Sequence, residues 1–442
     1  MNIIAIHTSH DGSISIVKGN KFIVHAQIDR FSNIIASAVP CSKILNAIKE
    51  LDMVFDVVLM SFLNGSAHWL WEDALRSYNL INSKTKIIYY EDKHHHYFHT
   101  MCAKMTVGDN ENMVVIDGGG SPLKKGFEEE TIFKNNKIVK QTQQSIGIDY
   151  EKQVKKILKT KPYRSFRDCG KIMALSVYDK KLNIFQKQIE KKIKNFMPKI
   201  NVTYTGGVAQ NVLANAQFLN YKNFKIDPLC TDQGISLGVI AHYTNMNFKL
   251  PHPVYLGFKP KYNLNIFKNY KVKKTTVREI CKILKDNPVA LFQGRSEQGQ
   301  RGLGNRSLIM DATNPNAKDI INKIKRREWY RPFSPAILEQ KAKDYFDCNQ
   351  PSPYMLYVFK NKTKLKSVVS DDGTSRIQTV SKKDNLHFYN LLKNFHVPFV
   401  LNTSLNMAGH TLVEDLEDLK YMMDYGNLKY SYLPEIKTLI TQ

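Results

Sequence analysis

Apolar and polar positions in the first part of the chain alternate in short blocks rather than in helical stripes. Asn2 to Thr8 is an apolar run, Asp11-Gly12 interrupts it, Ser13 to Val17 resumes it, Gly19-Asn20 breaks it again, and Phe22 to Gln27 continues the series. Blocks punctuated in this way predict a strand, a turn and a two-stranded hairpin. The pattern returns later: Asn112 to Ile116 predicts a buried strand, Asp117-Gly118-Gly119-Gly120 a turn, and Thr131 to Lys134, Asn135-Asn136 and Ile138 to Gln141 a second hairpin. Asn247 to Tyr262, with Pro251, Pro253 and Pro260, fits neither period and reads as a linker. Beyond it, strands at Val289 to Gln293, Met355 to Phe359 and Phe399 to Leu401, with a helix at Ala317 to Arg327, predict an α/β domain with an open cleft.

Two copies of strand, acidic-Gly turn and hairpin resemble the duplicated ribonuclease-H-like halves of the actin and sugar-kinase superfamily. The expected organisation is α/β throughout, with a first domain over 1–250, a linker over 251–263 and a second domain over 264–442. The chain of 442 residues is long enough for both cores. It opens without a basic, apolar, small-residue leader and contains no apolar stretch of membrane-spanning length, so a soluble cytoplasmic protein without a membrane partner is expected. Six scattered cysteines without a CxxC pair fit reduced thiols.

Charge changes the picture. A net +24 attracts polyanions and makes nucleic acid a candidate partner. The bias of an AT-rich genome explains lysine replacing arginine, but not 64 basic against 40 acidic residues. Lys124 to Lys171 and Lys180 to Lys199 are lysine-rich, the latter with helical spacing.

Three constellations carry chemistry. In His94-His95-His96-Tyr97-Phe98-His99, His95 and His99 stand one helical turn apart, able to face one ion; histidines so spaced also occur as core-satisfied side chains. Asp117 ends a strand and Asp232 precedes a helix start, and with the histidines they make a mixed N/O set suited to iron(II), manganese or zinc. In Tyr204 to Asn211, a strand turning through Gly206 and Gly207 into a helix would leave N–H groups for phosphate, although packing alone also explains such glycines. Finally, FQGRSEQGQRGLGNRSLIMD (Phe292 to Asp311) and NKIKRREWYRPFSP (Asn322 to Pro335) hold six of the twelve arginines: Arg295, Arg301, Arg306, Arg326, Arg327 and Arg331. Where lysine is the default base, that clustering points to bidentate phosphate or carboxylate contacts.

These residues resemble the nodulation and antibiotic-biosynthesis O-carbamoyltransferase family (NodU/CmcH type). The resemblance rests on SHDGS (Ser9 to Ser13), HHYFH (His95 to His99), VVIDGGG (Val114 to Gly120), GKIMAL (Gly170 to Leu175), GGVAQN (Gly206 to Asn211), the arginine block, DGTSRIQTV (Asp372 to Val380) and LNTSLN (Leu401 to Asn406). It implies a first domain similar to the tRNA threonylcarbamoyladenosine transferase and a YrdC-like second domain that makes carbamoyl-adenylate from carbamoyl phosphate and ATP. On that reading Arg295, Arg301, Arg306, Lys325, Arg327 and Arg331 neutralise phosphates, and Arg376, Asn402, Ser404 and Asn406 complete the lining. His95, His99, Asp117 and Asp232 hold a divalent metal, Fe(II) for preference, with Mg(II) accompanying ATP. Gly206, Gly207 and Asn211 cradle the nucleotide, and His10 or Asp11 takes the acceptor's proton. The chain departs from the family pattern at Ser370, at His410 and at Asp29-Arg30-Phe31, which bears on the acceptor and carbamoyl contacts. The expected acceptor is a hydroxymethylated base in DNA, such as 5-hydroxymethylcytosine in a phage-infected host. The alternatives are a small sugar or natural-product hydroxyl, or a non-catalytic nucleic-acid-binding member.

Overall fold

The computed structural model describes residues 1–62, 68–91, 94–159 and 165–442. They divide into two compact units: residues 1–173 with 181–258, and residues 174–180 with 259–442.

The first unit holds two five-stranded sheets. One consists of β1 (Asn2–His7), β2 (Ser13–Lys18), β3 (Lys21–Gln27), β4 (Val57–Phe62) and β5 (Lys86–Glu91). The other consists of β6 (Asn112–Ile116), β7 (Glu130–Lys134), β8 (Lys137–Thr142), β9 (Ile200–Thr205) and β10 (Lys222–Ile226). Their orders, β3-β2-β1-β4-β5 and β8-β7-β6-β9-β10, are the same arrangement repeated. In each, three antiparallel strands are extended by two parallel ones. Even the register irregularity recurs, between Ile16 and Val17 and between Ile132 and Phe133. The predicted ribonuclease-H-like duplication is therefore the fold of this unit. Local chemistry sets the turns: Asn135 and Asn136 both take positive φ, as a two-residue hairpin turn of this hand requires. Central strands such as β1 are buried along nearly their whole length, as expected where both faces of a sheet are covered.

Two helices of this unit carry the site, His95–Val107 and Ile235–Tyr243. The second is buried from Ile235 to Ala241 and crosses the first so closely that a Cβ on Gly238 would lie 2.0 Å from the Phe98 carbonyl oxygen. Glycine at that position is what permits the approach.

The second unit is built on an eight-stranded mixed sheet. Its strands are β11 (Lys271–Lys274), β12 (Val289–Phe292), β13 (Arg306–Met310), β14 (Ser334–Leu338), β17 (Gln378–Val380), β18 (Phe399–Ser404), β19 (Tyr430–Leu433) and β20 (Thr438–Thr441), in the order β11-β20-β19-β12-β13-β18-β14-β17. A separate pair joins β15 (Phe359–Lys360) to β16 (Thr374–Ser375). The predicted helix forms over Ala317–Lys325. The strand expected over Met355 to Phe359 does not: only Phe359 and Lys360 pair, because Met355 sits in the left-handed region at φ 54° and breaks the run. Its apolar residues Met355, Leu356 and Tyr357 are nonetheless buried, so the hydrophobic pattern reports burial rather than strand.

Candidate functional site

In the first unit, the helical spacing of His95 and His99 turns both rings toward the ends of the loops that carry Asp117 and Asp232. His99 Nε2 is 3.1 Å from Asp117 Oδ2 and 3.6 Å from Asp232 Oδ1. His95 Nε2 is 3.4 Å from Asp232 Oδ1 and 3.6 Å from Asp117 Oδ2. One donor atom from each of the four residues falls within 4.8 Å of all the others, and all four residues are buried. Burial opposes a charge on His95, but the carboxylates of Asp232 and Asp117 outweigh it and push its pKa up to about 10. Burial likewise opposes ionisation of Asp232, and the nearby His10, His95 and His7 overcome it, holding that carboxyl well below the usual range.

The donor chemistry fits a divalent cation. His95 Nε2 and Asp232 Oδ2 are buried and have no hydrogen-bond partner, an arrangement that is costly unless something else meets them. Two imidazoles and two carboxylates suit iron(II), manganese or zinc. The set is held from behind. Asp117 Oδ1 accepts the N–H groups of Gly118 at 2.7 Å and Gly207 at 3.2 Å, and Ser121 Oγ accepts the His95 N–H at 3.0 Å. Such supports fix ligand orientation.

His10 lies at the rim: its Nε2 is 3.4 Å from Asp232 Oδ2 and its side chain is 33% exposed, against 4% for Asp232. Asp11, at φ 58°, is buried beside it in the turn. His7, which is not among the expected site residues, ends β1 with Nε2 3.8 Å from Asp232 Oδ2 and Nδ1 3.1 Å from Ser61 Oγ. Its position at the strand end just before SHDGS is the sequence signal for it.

Gly206, Gly207 and Asn211, the residues expected to cradle the nucleotide, pack closely behind Asp117. A Cβ on Gly206 would lie 2.3 Å from the Ile116 carbonyl oxygen, so that glycine serves the close approach to β6. The Gly207 N–H is taken by Asp117, and the chain continues into a single 3-10 turn, Gly207–Gln210, rather than a long helix. Asn211 caps the short helix Val212–Asn215, accepting from Ala214 N at 3.1 Å and from Gln186 Nε2 at 3.0 Å. All three build the scaffold behind Asp117.

In the second unit the arginine block separates into two kinds. Arg306 is fully buried and stacked over Phe292 at 3.8 Å, and it donates to the carbonyls of Gln293, Gly294, Asn305 and Glu414. It ties loops together through both terminal nitrogens. Arg295 is half-buried, and its carbonyl accepts from Asn305. The others converge. Burial, followed by the charges of Arg327, Arg331 and Arg301, holds the Lys325 ammonium well below the ordinary lysine value. Burial and the charges of Arg331, Arg376 and Arg301 lower Arg327, with Glu328 acting the other way. Five cations thus share one small region, and Arg327 Nε is buried without a hydrogen-bond partner. Lys325 Nζ reaches Ser404 and, at 2.9 Å, Asn406 Oδ1, which brings two lining residues to the cluster. Asn402 Nδ2 donates to Gly302 and Gln378, leaving its Oδ1 buried and unpartnered. Trp329, at the tip of the turn between Arg327 and Arg331, is 66% exposed and rests on Tyr178 at 5.1 Å. A tryptophan flanked by arginines is the signal that could have found it in the sequence.

Residues 281–438 match the family described as Carbamoyltransferase C-terminus. An uncharacterized protein of Methanocaldococcus jannaschii is 28% identical over 423 aligned residues, covering 77% of this chain and 80% of that protein. Nodulation protein U of Rhizobium tropici is 32% identical over 49% of this chain and 40% of its own length, so the chain spans less than half of that relative. Nodulation protein NolNO of Sinorhizobium fredii is 41% identical over 29% of this chain and 21% of its own length. The chain thus matches the Carbamoyltransferase C-terminus family over residues 281–438 and is similar to nodulation proteins over part of its length.

Proposed function

We propose that the chain transfers a carbamoyl group to a hydroxyl through a carbamoyl-adenylate. The observation that carries this reading is the cluster of Arg301, Lys325, Arg327, Arg331 and Arg376 inside the matched segment: like charges forced together are relieved by a polyphosphate, and Arg327 Nε has a donor to give. ATP and carbamoyl phosphate are the anions proposed. A mixed anhydride of carbamate and AMP requires the phosphate of carbamoyl phosphate to depart with water as inorganic phosphate. A carbamate oxygen then attacks the α-phosphorus of ATP and pyrophosphate leaves, with Mg(II) accompanying the triphosphate. The cations bind and orient both anions, and Ser404, Asn406 and Asn402 Oδ1 supply neutral contacts.

For transfer, His95, His99, Asp117 and Asp232 are the proposed ligands of a divalent metal, Fe(II) for preference, which when bound would polarise the carbamoyl carbonyl or orient the adenylate phosphate. His10 Nε2, at the exposed rim, is the proposed acceptor of the proton of the attacking hydroxyl, and Asp232 Oδ2 beside it steadies the resulting imidazolium. Asp11 in the same turn is the alternative base. The C–O bond to the acceptor forms as the carbamoyl–phosphate bond breaks, releasing AMP.

The proposed acceptor is a hydroxymethylated base in DNA, a reading supported by the net +24. The test is incubation with ATP, carbamoyl phosphate, iron(II) and DNA containing 5-hydroxymethylcytosine, followed by digestion and mass spectrometry of the nucleosides. A carbamoyl adduct on the base supports reaction and acceptor together. AMP and pyrophosphate formation without that adduct removes DNA and leaves a small sugar or natural-product hydroxyl. Absence of any ATP cleavage overturns the enzymatic reading.

A further inference from the structure

The positive charge is not spread over the chain. Residues 1–130 carry 12 Lys and Arg against 15 Asp and Glu, whereas residues 131–200 carry 18 against 5, a net +13 of the total +24. Genome-wide lysine bias would load both segments alike, so composition alone does not account for the contrast. The structure gathers much of the second segment onto one region of the first unit. Strand β8 is the edge of its sheet and presents Lys137 and Lys140 to solvent. Lys140 Nζ sits 4.7 Å over the ring of Phe196, at the end of the helix Lys180–Phe196. On that helix Lys187, Lys191 and Lys194 are exposed at spacings of four and three, which places them in one stripe. The neighbouring helix Ile146–Leu158 adds Lys152, Lys155 and Lys156, and Lys192 Nζ joins the two helices through Asp149 at 3.0 Å. Lys137, Lys156, Lys191 and Lys194 have no ion-pair partner among the described residues.

This basic region is rooted in the candidate site. A Cβ on Gly147, in the first turn of the helix Ile146–Leu158, would lie 2.5 Å from the Asp117 carbonyl oxygen. Tyr150 of that helix hydrogen-bonds Gln186 of the lysine-striped helix, and Gln186 binds Asn211 behind the Asp117 turn. We infer that β8 and these two helices form a nucleic-acid-binding face that anchors a phosphodiester backbone beside the His95, His99, Asp117 and Asp232 cluster. This rests on the proposal of a DNA acceptor and gives it a location. Nucleic acid is favoured over an anionic bilayer because the lysines lie along rigid helix and strand elements. The striped helix is about 25 Å long, the span of several backbone phosphates.

The experiment is equilibrium binding of the full chain to single- and double-stranded DNA across a salt series, without ATP or carbamoyl phosphate. It compares the chain with Lys187→Gln/Lys191→Gln/Lys194→Gln and with a control of equal charge, Lys268→Gln/Lys364→Gln/Lys366→Gln, in the second unit. The face predicts that the first triple variant weakens binding roughly 10-fold or more near physiological salt and flattens the log–log salt slope by about two to three, while the control changes both far less. Equal losses in the two variants, no binding at low salt, or tight binding confined to anionic vesicles would each overturn it. Because no chemistry is involved, DNA binding without carbamoylation would sink the acceptor assignment while sparing the face. Carbamoylation of DNA with equal losses in the two variants would do the reverse.

Discussion

Arg306 and Arg327 come from one arginine-rich stretch and meet opposite surroundings. Arg306 gives its two terminal nitrogens to the carbonyls of Gln293, Gly294, Asn305 and Glu414, so Arg306→Met strands buried acceptors and is expected to cost about 2–4 kcal/mol, lowering the unfolding temperature of the second unit by roughly 5–15 °C in calorimetry. Arg327→Met removes a cation from a like-charged cluster. It should leave that melting transition within a few degrees while weakening ATP binding about 10-fold or more by titration calorimetry. If the two variants exchange these behaviours, the division between scaffold and ligand arginines is wrong. Sequence does not separate them, because residue type and spacing do not encode which way a guanidinium turns. The same holds for Gly207 and Asn211, whose groups are consumed internally. The convergence of His95, His99, Asp117 and Asp232 is more legible, since an i, i+4 histidine pair and acids at strand and helix ends fix direction as well as identity. His99→Ala should therefore lower bound iron or zinc, measured by mass spectrometry after dialysis, by about 100-fold in affinity, with secondary structure retained by circular dichroism.

At the scale of elements, the site depends on how closely two helices cross. Gly238 lets Ile235–Tyr243 lie against the Phe98 backbone, and this carries Asp232 to the His95 and His99 rings. Gly238→Ala places a methyl where only 2.0 Å is available and should destabilise the first unit by about 1–3 kcal/mol while weakening metal binding. Gly170 gives the opposite expectation. It lies in the helix Ser165–Leu175 with open space before it, so Gly170→Ala should stabilise by about 0.5–1 kcal/mol in denaturant titration. The strands and turns of the duplicated sheets are readable because acidic-Gly, Gly-Asn and Asn-Asn pairs bound each apolar run, and each pair has its own backbone reason to turn. Met355 to Phe359 is not, because a buried apolar run looks alike whether or not it pairs, and the left-handed Met355 leaves no trace in the pattern.

For the whole molecule, the proposed mechanism has two half-reactions separable by mutation. On the proposed mechanism, adenylate formation would draw on the cations of the second unit, and acyl transfer on the histidines and acids of the first. Exchange of labelled pyrophosphate into ATP, dependent on carbamoyl phosphate, reports the first half alone. His99→Ala should retain that exchange within a few-fold while product formation falls by at least about 100-fold, because its proposed ligand role belongs to transfer and not to ATP activation. Arg331→Gln should abolish both, since no adenylate reaches the acceptor. Loss of exchange in both variants would mean that the first unit also holds ATP during activation, merging the two half-reactions into one site's work. Retention of product formation in His99→Ala would remove the metal ligands from the chemistry and leave His10 to act with backbone groups.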